Sequence, residues 1–269
     1  MRTLVMGVLN VTPDSFYDGG RYLDRDAAIA RGIALVEEGA DIVDVGGEST
    51  RPGAVPVDPK VEAERVLPVV AALAGRVRVS IDTRHEAVAS AAVDAGATLV
   101  NDVSASLAPL AAAAGVGLVL MHMRGTPADM QDHPVYGDVV GEVHTFLAER
   151  AAAARDLGVT ECYVDPGLGF GKTLEHNVAL LRALPRLAAQ GSPVLVGTSR
   201  KAFLGALSAP PGGRALPPAE RFEASLASAV WAMCCGAAIV RVHDVKATAD
   251  AARLVGGSRD EGSRLRGAA

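Results

Sequence analysis

Eight short apolar runs, each ending in a polar or charged residue, constrain the fold of this sequence more than any other feature. Stretches rich in Ala, Leu, Val, Glu and Arg separate these runs at spacings of roughly 20–45 residues, as in repeated strand–helix units. Eight such units in a chain of 269 residues predict a single-domain α/β protein, a (β/α)8 barrel of the TIM type. The predicted strands are residues 4–10, 41–48, 77–82, 99–102, 118–122, 162–165, 194–201 and 238–243.

The barrel is predicted to occupy residues 1–256, and residues 257–269 are predicted to form a flexible tail. The last helix, over residues 248–255, should end at the Gly256-Gly257 pair. The helix after the sixth strand is expected over residues 175–188.

Two glycine-rich stretches follow the first two strands, at residues 10–20 and 46–53. They differ from ordinary strand–helix loops, which are short. Both combine glycines with charged and hydroxyl side chains, so we expect them to be mobile lids over the barrel mouth. A plain long loop is the alternative for each.

Composition and charge narrow the class of protein. The net charge of −5, from 26 basic and 31 acidic residues, argues against nucleic-acid binding, which needs a basic surface. We expect no signal peptide and no membrane span, because the first strand begins near Met1 and no uncharged apolar run reaches about 18 residues. Three cysteines without paired spacing predict no disulfide framework and no zinc site, and a reducing cytoplasm fits this pattern.

Polar side chains occupy the predicted carboxyl ends of the strands, where barrels of this kind carry their chemistry. A barrel with a purely structural role does not need such a ring, so the sequence predicts an enzyme. The ring consists of Asn10, Glu48, Asp82, Asn101, His122, Asp165, Lys201, Arg241 and His243.

Three of these residues have an ordinary structural alternative. Asp82 could bind a ligand NH group or stabilise positive charge, but an aspartate in front of a helix is equally typical of an N-cap. The amide of Asn101 offers a donor and an acceptor to the edge of a heterocycle, or it forms an Asx turn. His122 is as compatible with a structural role as with a functional one.

Residues 165–173 resemble a phosphate-binding P-loop, but the spacing is wrong. That motif needs four residues between its first glycine and Gly-Lys-Thr, whereas Gly167 and Gly171 have three between them. We therefore expect a buried carboxylate, Asp165, followed by a tight turn that points Phe170 into the mouth.

The last two strands end in cations. Lys201, Arg241 and His243 would form a local positive cluster in an otherwise acidic protein, in a sector where barrels often bind phosphate. This locality favours an anionic ligand group, and salt bridges to neighbouring carboxylates are the alternative.

Seven segments taken together closely resemble the dihydropteroate synthase family, which folds as a pterin-binding barrel. They are residues 6–16, 46–53, 80–83, 101–103, 165–170, 199–201 and 241–243. Each is modest alone, but all seven in this order are specific. The turn at residues 105–109 is shorter than is usual in the family, which could alter the rim on the pterin side.

The resemblance implies a transferase that joins 6-hydroxymethyl-7,8-dihydropterin diphosphate to 4-aminobenzoate and releases pyrophosphate. Asn10 would bind the Mg²⁺ cofactor, the first lid would carry Asp14 and Phe16, and the protein would be a homodimer. Arg241 and His243 would hold the diphosphate. The implied catalytic residues are Asp82, Lys201 and Arg241, and the implied substrate contacts are Thr50, Arg51, Pro52, Asp82, Asn101, Asp165, Phe170, Lys201, Arg241 and His243.

Two alternatives keep the barrel but change the function. One is a pterin-dependent methyltransferase, whose family would not be expected to need both the lid at residues 50–52 and the cluster at residues 199–201. The other is a non-catalytic pterin-binding paralogue, which loss of Asp82, Lys201 or Arg241 would favour, and all three are present.

Overall fold

The computed structural model describes residues 2–12, 23–49, 56–126 and 129–265, with the backbone alone for residues 23, 24 and 257–265. The predicted lid residues Asp14, Phe16, Thr50, Arg51 and Pro52 therefore lie outside the described residues.

Eight parallel strands confirm the predicted barrel. In sheet order they run β6-β5-β4-β3-β2-β1-β8-β7, and a parallel bridge between Val164 and Val194 joins the two ends. The ring is thus nearly continuous, and all its carboxyl ends meet at one mouth. The strands are β1 (Leu4–Asn10), β2 (Ile42–Gly46), β3 (Arg78–Asp82), β4 (Leu99–Asp102), β5 (Gly117–Met121), β6 (Cys162–Asp165), β7 (Leu195–Val196) and β8 (Ile239–Val242).

Helices cover the outside of this ring. Among the described residues, no helix combines the length and apolar character needed to cross a membrane. The helices are α1 (Leu23–Glu37), α2 (Pro59–Leu73), α3 (Glu86–Asp94), α4 (Ala108–Ala114), α5 (Val139–Asp156), α6 (Leu174–Arg182), α7 (Leu184–Ala188), α8 (Ala202–Leu207), α9 (Phe222–Cys234) and α10 (Val245–Leu265).

Side-chain caps explain where several helices begin. Asp58 accepts a hydrogen bond from the Lys60 backbone NH at 2.8 Å, and Pro59 fits the first turn of α2, where no NH is needed. Thr173 and His176 cap the start of α6 reciprocally.

Three boundaries differ from the prediction by more than two residues. The seventh strand is only Leu195–Val196, because the chain leaves the sheet before Thr198 and turns toward α8. The helix expected over residues 175–188 is broken at Ala183 into α6 and α7, because Pro185, two residues further on, has no NH to continue the helical hydrogen bonds. The backbone of α10 continues through Gly256-Gly257 to Leu265, so the predicted helix end is wrong.

The buried core has two parts. The larger part lies between the strands and the helices. The smaller part is a separate apolar cluster inside the ring, to which seven strands each contribute a residue: Met6, Ile42, Leu99, Val119, Tyr163, Leu195 and Ile239.

Because side chains alternate along a strand, the residue two positions further on points the same way. Two positions beyond Ile42, Leu99, Tyr163 and Ile239 lie Asp44, Asn101, Asp165 and Arg241. An apolar layer inside the ring is thus followed, toward the mouth, by a polar one.

Candidate active site

Arg241 is the centre of a buried polar network at the mouth. Its Nε donates to Asp44 Oδ2 at 2.6 Å, and its Nη2 donates to Asp82 Oδ2 at 2.6 Å. Asn101 Nδ2 donates to the same Asp44 oxygen at 3.0 Å. One guanidinium and one amide therefore join strands β2, β3, β4 and β8.

The structure decides between the structural and functional alternatives for Asp82 and Asn101. α3 begins after His85, so Asp82 is not its N-cap. Asn101 bonds across the barrel to Asp44, and its neighbour Asp102 forms the Asx-type turn instead. The Asp102 carboxylate accepts hydrogen bonds from the backbone NH groups of Ser104, Ser106 and Leu107 at 2.6–2.8 Å.

The short turn after β4 depends on that carboxylate. Within this turn Ala105 has a φ of 53°, in the left-handed region that non-glycine residues rarely adopt. The rim on this side is therefore held tightly in spite of its reduced length.

Asp44 was missed by the sequence analysis. It lies in the middle of β2, whereas the predicted polar ring consists of residues at the ends of strands. The available signal is a single carboxylate within the buried run Ile42–Gly46, two residues after an inward-facing isoleucine. Asp44 is completely buried, and such a carboxylate is rare unless it is paired.

Some polar atoms of this layer are buried without a partner among the described residues: Asp44 Oδ1, Asp82 Oδ1 and Ser80 Oγ. A buried polar atom without a hydrogen bond costs about 1–3 kcal/mol, so such atoms in a native protein indicate a missing partner. Two of the three are carboxylate oxygens, which would accept hydrogen bonds from NH groups of a ligand.

Burial raises the pKa of the Asp82 carboxyl to about 7. The Arg241 guanidinium acts in the opposite direction, and the nearby Asp44 carboxylate raises the pKa further. The protonation state of Asp82 thus depends on what shares this small space with it.

Asp165 and Lys201 lie on the other side of the mouth. Asp165 Oδ1 accepts a hydrogen bond from the Gly167 backbone NH at 2.7 Å, and the Lys201 ammonium donates to the Leu168 carbonyl. Lys201 Nζ also lies 4.6 Å from the centroid of the Phe170 ring. Asp165, Phe170 and Lys201 are therefore brought together, as the sequence predicted.

The pKa values of this pair move in opposite directions. Burial raises the pKa of Asp165 above its usual range, while the Lys201 ammonium lowers it. Burial lowers the pKa of Lys201 to about 8, while Asp165 raises it and the charge of Arg241 lowers it again. The proximity of Lys201 and Arg241 supports the predicted positive sector.

A glycine-rich turn carries Phe170 to this place. Gly167, Gly169 and Gly171 have φ angles of 63°, 85° and 63°. A Cβ atom on Gly167 would lie 1.9 Å from the His122 carbonyl oxygen, so no other residue fits there. The glycines that resemble a P-loop thus serve a tight turn.

Lys172 stabilises this turn, a role that was not predicted from the sequence. Its side chain is 3% exposed, and Nζ lies 3.0 Å from His122 Nδ1, 3.3 Å from His122 O and 3.0 Å from Phe170 O. Burial lowers the pKa of Lys172 to about 7, and burial together with this cation lowers the pKa of His122 to about 3. His122 is thus a neutral partner of a buried lysine.

The remaining residues of the predicted ring with side-chain contacts are His243, Arg241 and Glu48, and their contacts differ in kind. His243 Nδ1 lies 3.0 Å from Ser199 Oγ, which places His243 between the ends of strands seven and eight. Arg241 forms salt bridges with two carboxylates, as one of the two alternatives for the cationic cluster expected. The Glu48 carboxylate follows the end of β2 and accepts hydrogen bonds from Arg84 Nε and Nη2 at 3.0 Å. Its place in the predicted ring stays a prediction.

Asn10 ends β1 beside Gly46. It is half-buried, and its side-chain amide makes no hydrogen bond within the described part of the chain. Its carbonyl oxygen is thus available as a ligand atom.

A barrel mouth with buried carboxylates, an amide and two cations defines an enzyme site suited to a nitrogen-rich ring that bears an anionic group. The family described as pterin binding enzyme matches residues 6–243. Dihydropteroate synthase of Mycobacterium leprae is 52% identical over 261 residues, which cover 94% of this chain and 92% of that protein. The chain belongs to the dihydropteroate synthase family, whose members are transferases.

Solved structures agree with this assignment. Dihydropteroate synthase of Xanthomonas albilineans with 4-aminobenzoic acid matches at a TM-score of 0.87 and 46% identity, covering 96% of this chain and 93% of that one. The Yersinia pestis enzyme in a sulfonamide drug complex matches at a TM-score of 0.88 and 42% identity. The match covers 96% of this chain and 95% of that one.

Proposed function

We propose that this chain condenses 6-hydroxymethyl-7,8-dihydropterin diphosphate with 4-aminobenzoate to give 7,8-dihydropteroate and pyrophosphate. The observation that carries the proposal is the polar layer at the mouth, with buried carboxylate oxygens that no described residue satisfies. The relatives support the choice of reaction, because structures of such enzymes contain 4-aminobenzoic acid or 7,8-dihydropteroate. Their names favour a synthase over the methyltransferase alternative.

Asp165, Asp82 and Asn101 would recognise the pterin. A pterin edge carries several NH donors together with ring-nitrogen and carbonyl acceptors, and carboxylates and an amide match both kinds of group. Lys201 would add a donor, and the Phe170 ring beside it would supply an apolar surface.

Arg241 can hold an anion without leaving its two carboxylates. A guanidinium has five NH donors, and the network uses one on Nε and one on Nη2. The remaining donors make no hydrogen bond to the described residues. With His243 nearby, they would neutralise charge on the diphosphate as it departs.

The reaction breaks the bond between the pterin methylene carbon and the diphosphate oxygen and forms a bond from that carbon to the amine nitrogen, which then loses a proton. Positive charge develops on the methylene carbon and spreads into the ring. The Asp82 carboxylate would stabilise that charge electrostatically. Aminobenzoate is already a usable nucleophile, so no serine–histidine pair is required.

Mg²⁺ is the proposed cofactor, and Asn10 is the residue that would hold it. The amide oxygen of Asn10, which accepts no hydrogen bond from the described residues, is a hard donor suited to this ion, which commonly keeps waters and substrate phosphates as its other ligands. When bound, the ion would neutralise diphosphate charge.

The direct test is to incubate the purified chain with the pterin diphosphate, 4-aminobenzoate and Mg²⁺ and to measure pyrophosphate and dihydropteroate together. We expect equal amounts of both products, loss of turnover with a chelator and recovery with Mg²⁺. No product under any condition would contradict the proposed reaction, and full turnover in chelator would remove Asn10 from the metal role.

We also propose that the protein is a cytoplasmic homodimer. Trp231 on α9, which is 49% exposed, is a large apolar side chain that a second copy could cover. Light scattering of the purified chain should give twice the mass of 27.5 kDa. A monomer at micromolar concentration would reject the dimer.

A further inference from the structure

Three metal-ligating side chains from consecutive strand–helix units converge on one another. Glu48 follows β2, Glu62 lies on α2 and His85 precedes α3. One ligand atom from each lies within 4.8 Å of the other two. We propose that Glu48, Glu62 and His85 bind a divalent transition-metal ion of the zinc class. This proposal is independent of the proposed reaction, because none of the three residues takes part in it.

Glu62 supplies a second, separate observation. Its side chain is 0% exposed, and Oε2 lies 2.8 Å from His85 Nδ1. The other oxygen, Oε1, is buried and has no hydrogen-bond partner among the residues that the structure describes. A fully buried carboxylate with an unsatisfied oxygen is costly, and a bound cation would remove that cost.

The donor set selects the type of ion. Mg²⁺ and Ca²⁺ prefer sites made of oxygen alone, whereas an imidazole nitrogen suits Zn²⁺ and neighbouring transition metals. Three protein ligands of the His and Glu type, with a water in the remaining position, form an open zinc site. The imidazole would bind the ion through a ring nitrogen that carries no proton.

Arg84 competes with the metal for Glu48. Its Nε and Nη2 each lie 3.0 Å from a Glu48 oxygen, and the Val57 backbone NH donates to the same carboxylate at 3.0 Å. The Arg84 side chain is 31% exposed and can turn outward to solvent. Binding should therefore be weaker than in a site without this cation, and removal of the guanidinium should strengthen it.

The binding experiment uses Zn²⁺ titrated calorimetrically into the full chain, with visible absorption of added Co²⁺ as a second probe. We expect one saturable site in the wild type. Glu62→Gln and His85→Gln should each weaken Zn²⁺ binding at least tenfold, and Arg84→Met should tighten it several-fold. His133→Gln, at an exposed histidine, is the matched control and should change nothing.

Thermal unfolding gives an independent reading, because an ion that binds only the folded chain raises its Tm. Zn²⁺ should raise the Tm of the wild type and of Arg84→Met, but not that of His85→Gln. Absence of saturable binding in the wild type would overturn the proposal. Equal affinity in the wild type, Glu62→Gln and His85→Gln would also overturn it, since the ion would then lie elsewhere. If Glu62→Gln fails to fold, His85→Gln and Arg84→Met still decide, because they are predicted to move affinity in opposite directions.

Discussion

The interior of the barrel contains two layers that share the same strands and differ in chemistry. In the lower layer Ile42, Leu99, Tyr163 and Ile239 form part of a closed apolar cluster. Two residues further along the same strands, Asp44, Asn101, Asp165 and Arg241 form the polar mouth. A distance of two residues therefore separates side chains that stabilise the barrel from side chains that are arranged for a ligand.

The two layers contribute to stability in different ways. Burial of the apolar layer is favourable for each side chain. The ion pairs of the polar layer give a smaller net gain, since desolvation of the charges offsets much of their attraction. Some of their oxygens have no partner among the residues that the structure describes, which is a cost that a bound ligand would remove. Variants in each layer should separate these contributions.

The largest effect is expected from Asp44→Ala. This change leaves both Arg241 and Asn101 without their shared buried acceptor. Breaking one side of a buried ion pair costs about 3–5 kcal/mol, so the free energy of unfolding in urea should fall by that amount. Asp156→Ala, at an exposed site on α5, is the control. A loss below 1 kcal/mol would mean that the network contributes little.

A substitution in the apolar layer should lower the stability of the protein and leave its pterin affinity unchanged. Leu99→Ala should lower the free energy of unfolding by about 2–5 kcal/mol through lost burial and a cavity. Calorimetric titration below the unfolding transition should give an unchanged pterin affinity. If pterin affinity fell as far as stability, the two layers would not be functionally separate.

In contrast to Leu99→Ala, Asp165→Asn should change pterin affinity rather than stability. We expect pterin binding to weaken by about 1–3 kcal/mol, because an amide presents a donor where the ligand needs an acceptor. The measurement is calorimetry with a pterin, and Asp156→Asn is the matched control. Unchanged affinity would remove Asp165 from the pterin site.

Lys172→Met should change the pH dependence of stability. Burial lowers the pKa of Lys172 to about 7 in the folded chain from an ordinary 10.5, so the unfolded chain binds more protons between these values. The wild type should therefore gain stability as pH rises through this window, by at most about 1.4 kcal/mol per pH unit. Lys172→Met should lack this increment, whereas Lys60→Met, at an exposed lysine, should keep it. Parallel stability curves for the wild type and Lys172→Met would reject the assigned shift.

The sequence was sufficient to predict the strands and most of the polar mouth, because hydrophobic runs and turn residues are local signals. Asp44 and Lys172 were missed for different reasons. Asp44 lies within its strand, so only the inward alternation with Ile42 identifies it. Lys172 acquires its role through contact with His122, 50 residues away in the chain, and no local pattern reports that contact.

Boundaries were predicted less well than elements. The short β7 depends on packing around the ring. Pro185 breaks a helix that the apolar pattern alone predicts as continuous, and α10 continues through two glycines that disfavour helix by local propensity alone. The convergence of Glu48, Glu62 and His85 is likewise a product of the fold, since their spacings match no metal-binding motif.

A crystal structure of the chain with a bound pterin tests the central claim most directly. We expect the pterin in the polar layer, with NH groups within hydrogen-bond distance of Asp165 and of Asp44 Oδ1 or Asp82 Oδ1, the carboxylate oxygens without a partner among the described residues. A pterin seated elsewhere on the barrel, or one that leaves these carboxylates untouched, would contradict it.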